Sequence, residues 1–280
     1  MAYTPGNKII TYKRSFLPFH LLYHLCVFLV RFVSWTLLRI RISGRENLQG
    51  IDSALLVSNH TLVLDPGIIA YAIRPKRTYF TMLEETALIP YLGTFIRLLG
   101  GIPIPPNSFS RLEKAVEQGI NELGFVHFFP EGECFLRNQQ IRPFSIGAFY
   151  LSCRLRLPIV PITTVLLERS FFGKPVRTMF GGCLRVPPRV SIYIGKPFYP
   201  EQFIPELDGP QAGNKRSRRI IVRRQAVTAM SEEVRRYMQA TIDNSGGCKT
   251  MFRGVMPRLV KQETSGGEEE IEQKTRGKAV

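Results

Sequence analysis

The sequence predicts an α/β protein with a mixed, mostly parallel sheet flanked by helices, preceded by an N-terminal apolar helix that associates with a membrane. From about residue 45, short apolar runs alternate with helical patterns, which is typical of an α/β domain. Hydrophobic residues make up 44% of the 280 residues, enough for the core of one large domain or two small ones. Before this region, Phe16 to Leu38 is almost entirely apolar or aromatic, interrupted by Arg31.

As a helix, the apolar run would be roughly 35 Å long, sufficient to cross a bilayer. It lacks the small-residue cleavage site that follows the apolar part of a signal peptide. Three interpretations stay open: a single span containing Arg31, a helix lying in the membrane interface, or a buried core helix. Basic residues flank both ends, so we expect residues 1–42 to associate with the cytoplasmic face of a membrane.

The elements that follow are predicted from apolar periodicity and from turn and capping signals. Strands are expected at 54–57, 78–82, 125–129, 159–167 and 190–194, and helices at 66–73, 84–99, 110–123, 144–154 and 215–242. Pro90 should break or kink the second of these helices. Ser110 and Glu113 form a capping-box pattern for the third, which Gly124 ends. Pro143 lies near the first position of the fourth.

Charge and cysteine content narrow the function classes. The chain has 38 basic and 22 acidic residues, a formal charge of +16, which predicts attraction to nucleic acid or to an acidic membrane surface. It carries no Gly-rich, aromatic-bearing RNA-binding signature and no zinc spacing, so nucleic-acid binding is the weaker alternative. Five cysteines without a C-x-x-C pair indicate reduced thiols in a cytoplasmic setting rather than a disulfide framework or a zinc cluster.

The first candidate site follows the strand at 54–57. His60 and Asp65 lie five residues apart where this strand ends, and α/β sheets bind ligands outside the carboxyl ends of their strands. An imidazole can accept a proton from a substrate hydroxyl near neutral pH, and a carboxylate on its other nitrogen fixes the tautomer. In the alternative interpretation, Asp65 caps a helix whose first residue is Pro66.

A second candidate site follows the strand at 125–129, which runs into Pro130, Glu131 and Gly132. Glycine allows a backbone to approach a ligand closely, and a glutamate carboxylate can accept hydrogen bonds from hydroxyls. The same residues also suit an ordinary turn with a solvated glutamate.

Taken together, these blocks resemble the glycerolipid acyltransferases, that is, the 1-acylglycerol-3-phosphate acyltransferases and their relatives. The HX4D motif of that family is matched by Asn59-His60 followed by Asp65, its Phe-Pro-Glu-Gly block by residues 129–132, and its Pro-x-x-Pro block by residues 157–162. The blocks cover residues 58–162, a little over a third of the chain. Each block is weak evidence alone, whereas the ordered set is strong.

The resemblance implies a membrane-bound enzyme of phospholipid biosynthesis that moves a fatty acyl group from coenzyme A or acyl carrier protein to the hydroxyl of a lysophospholipid. No cofactor is implied beyond the acyl donor. His60 would be the general base and Asp65 its orienting partner, whereas Asn59, Glu131 and Gly132 would bind the acceptor. Direct attack on the thioester needs no nucleophilic Ser or Cys, and backbone N–H groups would stabilise the oxyanion.

The sequence departs from the family pattern in the acceptor pocket. Pro106 and Cys134 stand where relatives carry arginine, Leu62 replaces a polar residue, and Ser145 replaces a lysine. Nearby arginines could substitute, with Arg137 the preferred candidate for substrate binding and the others Arg111 and Arg142. An acyltransferase for another lysolipid and an inactive membrane-bound relative stay open as alternatives. A metal-dependent hydrolase fits poorly, because one His and one Asp supply too few ligands.

We therefore divide the chain into a membrane-associating segment at 1–42, an acyltransferase domain at 43–210, a basic C-terminal helical region at 211–260 and a disordered tail at 261–280. The predicted helix at 215–242 begins with six basic residues, at positions 215, 216, 218, 219, 223 and 224. They form either a solvated face or a contact with anionic lipid or with the phosphates of coenzyme A.

Overall fold

The computed structural model describes residues 17–33, 39–105, 108–168, 170–171, 174–175, 188–204 and 224–256. Its strands are β1 Arg41–Ser43, β2 Ala54–Ser58, β3 Tyr79–Leu83, β4 Gly101–Ile104, β5 Phe125–Phe128, β6 Ile159–Leu167, β7 Ser170–Phe171, β8 Lys174–Pro175 and β9 Arg189–Ile194. Its α-helices are α1 Leu17–Val33, α2 Asp65–Ala72, α3 Glu84–Leu88, α4 Leu92–Leu98, α5 Phe109–Leu123, α6 Gly147–Leu155 and α7 Arg224–Asn244. Short 3-10 turns cover Arg45–Leu48, Pro200–Gln202 and Lys249–Met251.

Seven strands form one sheet in the order β1-β9-β6-β2-β5-β3-β4, and β7 pairs with β8 in a separate hairpin. Every neighbouring pair in the large sheet is parallel except β6 and β9, which are antiparallel. The expectation of a mixed, mostly parallel sheet is therefore confirmed.

Alternate residues of β2 point into two separate cores on opposite faces of the sheet. Leu55 and Val57 join a core formed largely with α5, α6 and α7, whereas Ala54 and Leu56 join a core formed with α2. All five residues of β2 are buried, because helices cover both faces of the sheet at this strand. This burial explains why the strand appears in the sequence as a continuous apolar run.

Several predicted boundaries agree with the structure. Strand β6 has the predicted limits. The helix predicted at 84–99 is broken around Pro90 into α3 and α4, because proline lacks the N–H that a continuous helix needs. Helix α5 ends at Gly124, whose φ of 80° is costly for other residues and whose N–H donates to the carbonyl of Ile120.

Three predictions of helix starts are wrong. Helix α5 begins at Phe109 after an N-cap at Ser108, so Ser110 is not a cap, and Glu113 pairs with Arg154 at 2.8 Å instead. Helix α6 begins at Gly147 rather than near residue 144, because Phe144 is used in the core. Helix α2 begins at Asp65 itself, so the interpretation of Asp65 as an N-cap is also wrong.

The N-terminal helix α1 packs near α2, with Tyr23 and Val27 buried. Its 17 residues correspond to about 25 Å. Among the described residues, no helix combines the length and apolar character needed to cross a membrane. Membrane association of residues 1–42 stays a prediction.

The C-terminal helix α7 packs on the main core through Val227, Met230, Val234, Met238 and Ile242. Most of the basic cluster predicted at its start, positions 215–223, lies outside the described residues, as does the predicted tail at 261–280. The division into domains stays a prediction.

Candidate active site

The two candidate sites lie together at the carboxyl ends of two neighbouring strands. Strands β2 and β5 are adjacent and parallel, with Val57 opposite Phe128, so the segments that follow them lie side by side. Residues 59–65 come from the first strand and residues 129–132 from the second. The topology therefore places His60 and Glu131 in one site at the carboxyl ends of the central strands.

His60 and Asp65 form a hydrogen-bonded pair. Nδ1 of His60 lies 3.0 Å from Oδ2 of Asp65, whose side chain is 0% exposed, whereas the His60 side chain is 20% exposed. The same carboxylate oxygen accepts hydrogen bonds from the N–H groups of Thr61 at 2.7 Å and Leu62 at 2.8 Å. Because these donors fix the carboxylate, it can hold the Nδ1–H tautomer of His60 and leave the lone pair of Nε2 for a proton. Such a pair can perform general base chemistry.

The side chain of Glu131 connects two main-chain segments of the site. Its Oε1 accepts a hydrogen bond from the N–H of His60, and its Oε2 accepts one from the N–H of Arg142, each at 3.0 Å. Burial raises the pKa of Glu131 to about 7, although the two N–H donors and His60 act in the opposite direction. Each oxygen keeps a further lone pair with which it could accept a hydrogen bond from a ligand hydroxyl.

Asn59, predicted to bind substrate, instead forms hydrogen bonds with the main chain of a neighbouring strand. Its side chain is buried, and its amide donates to the carbonyl of Thr164 at 2.9 Å and accepts from the N–H of the same residue at 2.8 Å. These two bonds fasten the end of β2 to β6. The geometry does not support a direct contact with substrate, because the amide is enclosed and already paired.

Gly132 and Arg137 both lie in the segment beside the site. Gly132 has a φ of 78° and its N–H donates to the carbonyl of Phe129, so the turn requires glycine for its backbone conformation. A Cβ at this position would meet no atom within 4 Å, so space is not the constraint. Arg137 has a φ of 58°, and its N–H donates to the carbonyl of Thr61 at 2.8 Å. Its half-buried position next to the HX4D segment is therefore fixed by the main chain.

An aromatic stack behind His60 was missed by the sequence reasoning. The ring of Phe129 stacks on His60 with centroids 4.0 Å apart, and His127 packs edge-on against Phe129 at 4.5 Å. Nε2 of His127 lies 3.0 Å from Oγ of Ser58. Burial, and to a smaller extent the nearby His60, lowers the pKa of His127 to about 3, so this imidazole is neutral near pH 7. The sequence did contain a signal for this contact, because His127 lies inside a predicted buried strand, two positions before the Phe of the Phe-Pro-Glu-Gly block.

The C-terminal region holds the segment that carries Glu131 and Arg137. Residues 134–136 pair with residues 253–256 through three main-chain hydrogen bonds of 2.9 Å. The side chain of Gln239 on α7 accepts from the N–H of Ile141 and donates to the carbonyl of Gln139. No motif in the sequence beyond residue 167 indicated this support.

The thiol of Cys134, in the segment beside the site, is buried. Burial raises its pKa to about 12, assisted by Asp65 and Glu131. This thiol is therefore a poor nucleophile and supplies no positive charge. In the described part of the chain, no group of three or more His, Cys, Asp or Glu side chains is placed to hold a metal ion.

The chain is similar in sequence to several known acyltransferases. It is 29% identical over 165 residues to a chloroplastic 1-acyl-sn-glycerol-3-phosphate acyltransferase of Brassica napus, covering 56% of this chain and 44% of that protein. It is 27% identical to the 1-acyl-sn-glycerol-3-phosphate acyltransferase of Saccharomyces cerevisiae, covering 53% and 50%, and 28% identical to the human beta enzyme of that name, covering 53% and 54%. The chain thus spans about half the length of these curated relatives.

Among solved structures, the chain is similar to the 1-acyl-sn-glycerophosphate (LPA) acyltransferase of Thermotoga maritima, with 18% identity and a TM-score of 0.48 over 81% of this chain and 79% of that one. The family model named Acyltransferase matches residues 39–165, which include the HX4D segment and all the site residues described above. Over residues 39–165 the chain is therefore similar to the acyltransferase family, and these curated relatives are named 1-acyl-sn-glycerol-3-phosphate acyltransferases.

Proposed function

We propose that the protein is an O-acyltransferase that moves a fatty acyl group from a thioester to the free hydroxyl of a lysophospholipid of the 1-acylglycerol-3-phosphate type. The observation that carries the proposal is the His60–Asp65 pair, with 3.0 Å between Nδ1 and Oδ2 and a partly exposed imidazole, at the carboxyl end of a central strand. The names of the curated relatives support the same reaction class.

In the proposed reaction, Nε2 of His60 takes the proton of the acceptor hydroxyl as its oxygen attacks the thioester carbonyl carbon. Asp65 stabilises the imidazolium that forms. When the tetrahedral intermediate collapses, the C–S bond breaks and the imidazolium returns its proton to the departing thiolate. The products are the acylated lipid and a free thiol. No enzyme-bound acyl group is formed, so the unreactive thiol of Cys134 is no obstacle.

We propose a relaxed requirement for phosphate on the acceptor. A phosphomonoester carries nearly two charges, and a partly dry site needs clustered or forked cations to hold it. Cys134 brings no charge to the position where relatives carry arginine, and Pro106, at the other such position, lies outside the described residues. A zwitterionic lysolipid should therefore be acylated within about tenfold of lysophosphatidate, a difference of about 1.4 kcal/mol.

The acyl donor, the partners and the location in the cell are further parts of the proposal. The donor is coenzyme A or acyl carrier protein, and the acceptor lies in a membrane with which the protein associates on its cytoplasmic face. The net charge of +16 suits an anionic lipid surface. Nucleic acid is not among the proposed partners.

The test is transfer of a labelled acyl chain by the purified full chain, with acyl-CoA and acyl carrier protein as alternative donors. Acceptors are lysophosphatidate, lysophosphatidylcholine and lysophosphatidylglycerol, and His60→Ala is the matched control. We expect transfer that the control abolishes. A folded wild-type protein that acylates none of these acceptors with either donor would show that the chain is an inactive relative.

A further inference from the structure

The break between α3 and α4 exposes a cluster of large apolar side chains. Tyr91 is 92% exposed at a φ of 60°, and Leu88, Leu92 and Phe95 are between 38% and 49% exposed. We call these four residues the α3–α4 patch. Single exposed apolar residues are ordinary on protein surfaces, whereas four of them within one short segment of the chain need a reason.

The α3–α4 patch follows β3 at the carboxyl ends of the parallel strands, where the active site also lies. Helix α3 begins at Glu84, immediately after β3 ends at Leu83. Strand β3 is parallel to β5, and β5 is parallel to β2, so all three strands end at the same edge. At about 4.8 Å between neighbouring strands, the end of β3 lies about 10 Å from the end of β2, where His60 begins the site.

Several other exposed side chains near the carboxyl ends of these strands are apolar or basic. Val63 and Leu64 are exposed on the segment between His60 and α2. Helix α5 follows β4, which is parallel to β3, and its first turns expose Phe109 together with the cations of Arg111 and Lys114. Apolar side chains interspersed with cations are typical of surfaces that insert into the interface of an anionic membrane.

A lipid surface fits this combination better than a second copy of the chain. Two copies, each with a formal charge of +16, would repel one another. An anionic membrane would instead attract the cations and also cover the apolar groups. Tyrosine favours the headgroup level, because its ring is apolar and its hydroxyl stays hydrated.

We propose that the α3–α4 patch inserts into the surface of an anionic membrane beside the active site, as a contact separate from residues 1–42. The inference rests on the proposed function, because the lysolipid acceptor would then move from the membrane to His60 without crossing water. The patch determines where the site meets the lipid, independently of how the N-terminal segment is attached.

The first experiment locates the patch relative to lipid and needs no enzymatic activity. The chain has one tryptophan, Trp35, so a Trp35→Phe background allows a single fluorescent reporter. Tyr91→Trp is compared with Tyr199→Trp, an exposed tyrosine that follows the carboxyl end of β9. Strand β9 runs antiparallel to β6, so Tyr199 lies toward the amino ends of the parallel strands, opposite to the active site.

The reporters are bound to phosphatidylcholine and phosphatidylglycerol vesicles that contain brominated lipids. Quenching of the Tyr91→Trp fluorescence, and little quenching at Tyr199→Trp, is the expected result. Equal quenching at the two positions, or none at Tyr91→Trp, would overturn the inference. A change from dimer to monomer on Tyr91→Ser substitution would also overturn it, because a second copy would then cover the patch.

The second experiment separates the inference from the proposed function. Tyr91→Ser with Phe95→Ser should lower acylation of a vesicle-embedded lysolipid by about tenfold and leave acylation of a monomeric short-chain lysolipid unchanged. Tyr199→Ser should change neither rate. Equal loss with both substrates would assign the patch to the active site instead. If the wild type acylates nothing, the proposed function fails, and the quenching experiment still decides the membrane contact.

Discussion

The rings of His60 and Phe129 lie face to face, with centroids 4.0 Å apart and planes inclined by 22°. Asp65 holds the same imidazole at its edge, through the 3.0 Å bond to Nδ1. The carboxylate therefore fixes the ring within its plane, and the phenyl group fixes the plane itself. One constraint comes from the segment after β2 and the other from the segment after β5, so the position of His60 depends on the pairing of these strands.

The first prediction concerns the base and its partner. His60→Ala should lower kcat by at least about 100-fold, because no other described histidine is placed to accept the proton. Asp65→Asn should lower it by about 10,000-fold, the effect of the same change in a Ser-His-Asp triad, because the neutral amide does not stabilise the imidazolium. The amide oxygen can still accept the N–H bonds of Thr61 and Leu62, so we expect both variants to fold. Loss of folding without a kinetic defect in the remaining folded protein would assign Asp65 a structural role only.

The second prediction tests the stacked ring. Phe129→Leu should lower kcat by about tenfold with little change in KM, since small misplacements of a catalytic group are costly. Phe129→Tyr keeps a six-membered ring and should retain most of the activity. In NMR spectra, the ring protons of His60 should lose their upfield ring-current shift in the Leu variant alone. Equal activity of the two variants would contradict a positioning role for the ring.

The strands β2, β3, β5, β6 and β9, and the position of each candidate site at the end of a strand, could be predicted from the sequence. Continuous apolar runs marked β2 and β6, and parallel neighbouring strands place their carboxyl ends at one edge whatever the details of packing. The roles of Glu131 and Asn59 could not be predicted in the same way. Their partners are main-chain groups of Arg142 and Thr164, distant in sequence, which only the folded chain brings near.

The wrong helix starts have a similar cause. Ser110 and Glu113 satisfy the capping-box pattern, yet the carboxylate gains a charged partner in Arg154, which tertiary packing supplies. Asp65 and Pro66 satisfy the N-cap pattern, yet the carboxylate accepts hydrogen bonds from the residues before the helix. A local pattern states what a side chain can bind, and long-range contacts decide among the possibilities.

The third prediction concerns the pH dependence contributed by Glu131. Its pKa is raised to about 7 from an ordinary value of 4.5, so between these pH values the folded protein binds more protons than the unfolded chain. The stabilisation from this group is present below about pH 4.5 and is lost as the pH rises to about 7, by up to about 3 kcal/mol. Glu131→Gln removes the titration. In urea unfolding, the stability of the wild type relative to this variant should fall across that range, and Glu117→Gln on α5 is the exposed control.

The fourth prediction concerns His127, whose pKa is lowered to about 3. Between about pH 6.5 and 3 the unfolded chain binds the proton and the folded protein does not, so the stabilisation from this group is lost as the pH falls through this range. His127→Gln can keep a hydrogen bond to Ser58 without titrating, so the variant should lose less stability on acidification. Thermal unfolding from pH 7 to 4 measures the difference, with His24→Gln on α1 as control.

The His127→Gln enzyme should also remain far more active than His60→Ala, and activity as low as that of His60→Ala would make His127 part of the chemistry.

The last prediction concerns the acceptor. If the phosphate requirement is relaxed, Arg137→Ala should change the ratio of kcat/KM for lysophosphatidate to that for lysophosphatidylcholine by less than about tenfold, or 1.4 kcal/mol. Arg156→Ala is the matched control, because Arg156 has nearly the same backbone conformation, with a φ of 53° against 58° at Arg137, and lies before the amino end of β6. Arg142→Ala extends the comparison to an exposed arginine whose N–H donates to Glu131. A strict preference for lysophosphatidate that Arg137→Ala removes and Arg156→Ala keeps would show that Arg137 supplies the charge missing at Cys134. The acceptor would then be lysophosphatidate, and the relaxed requirement would be refuted.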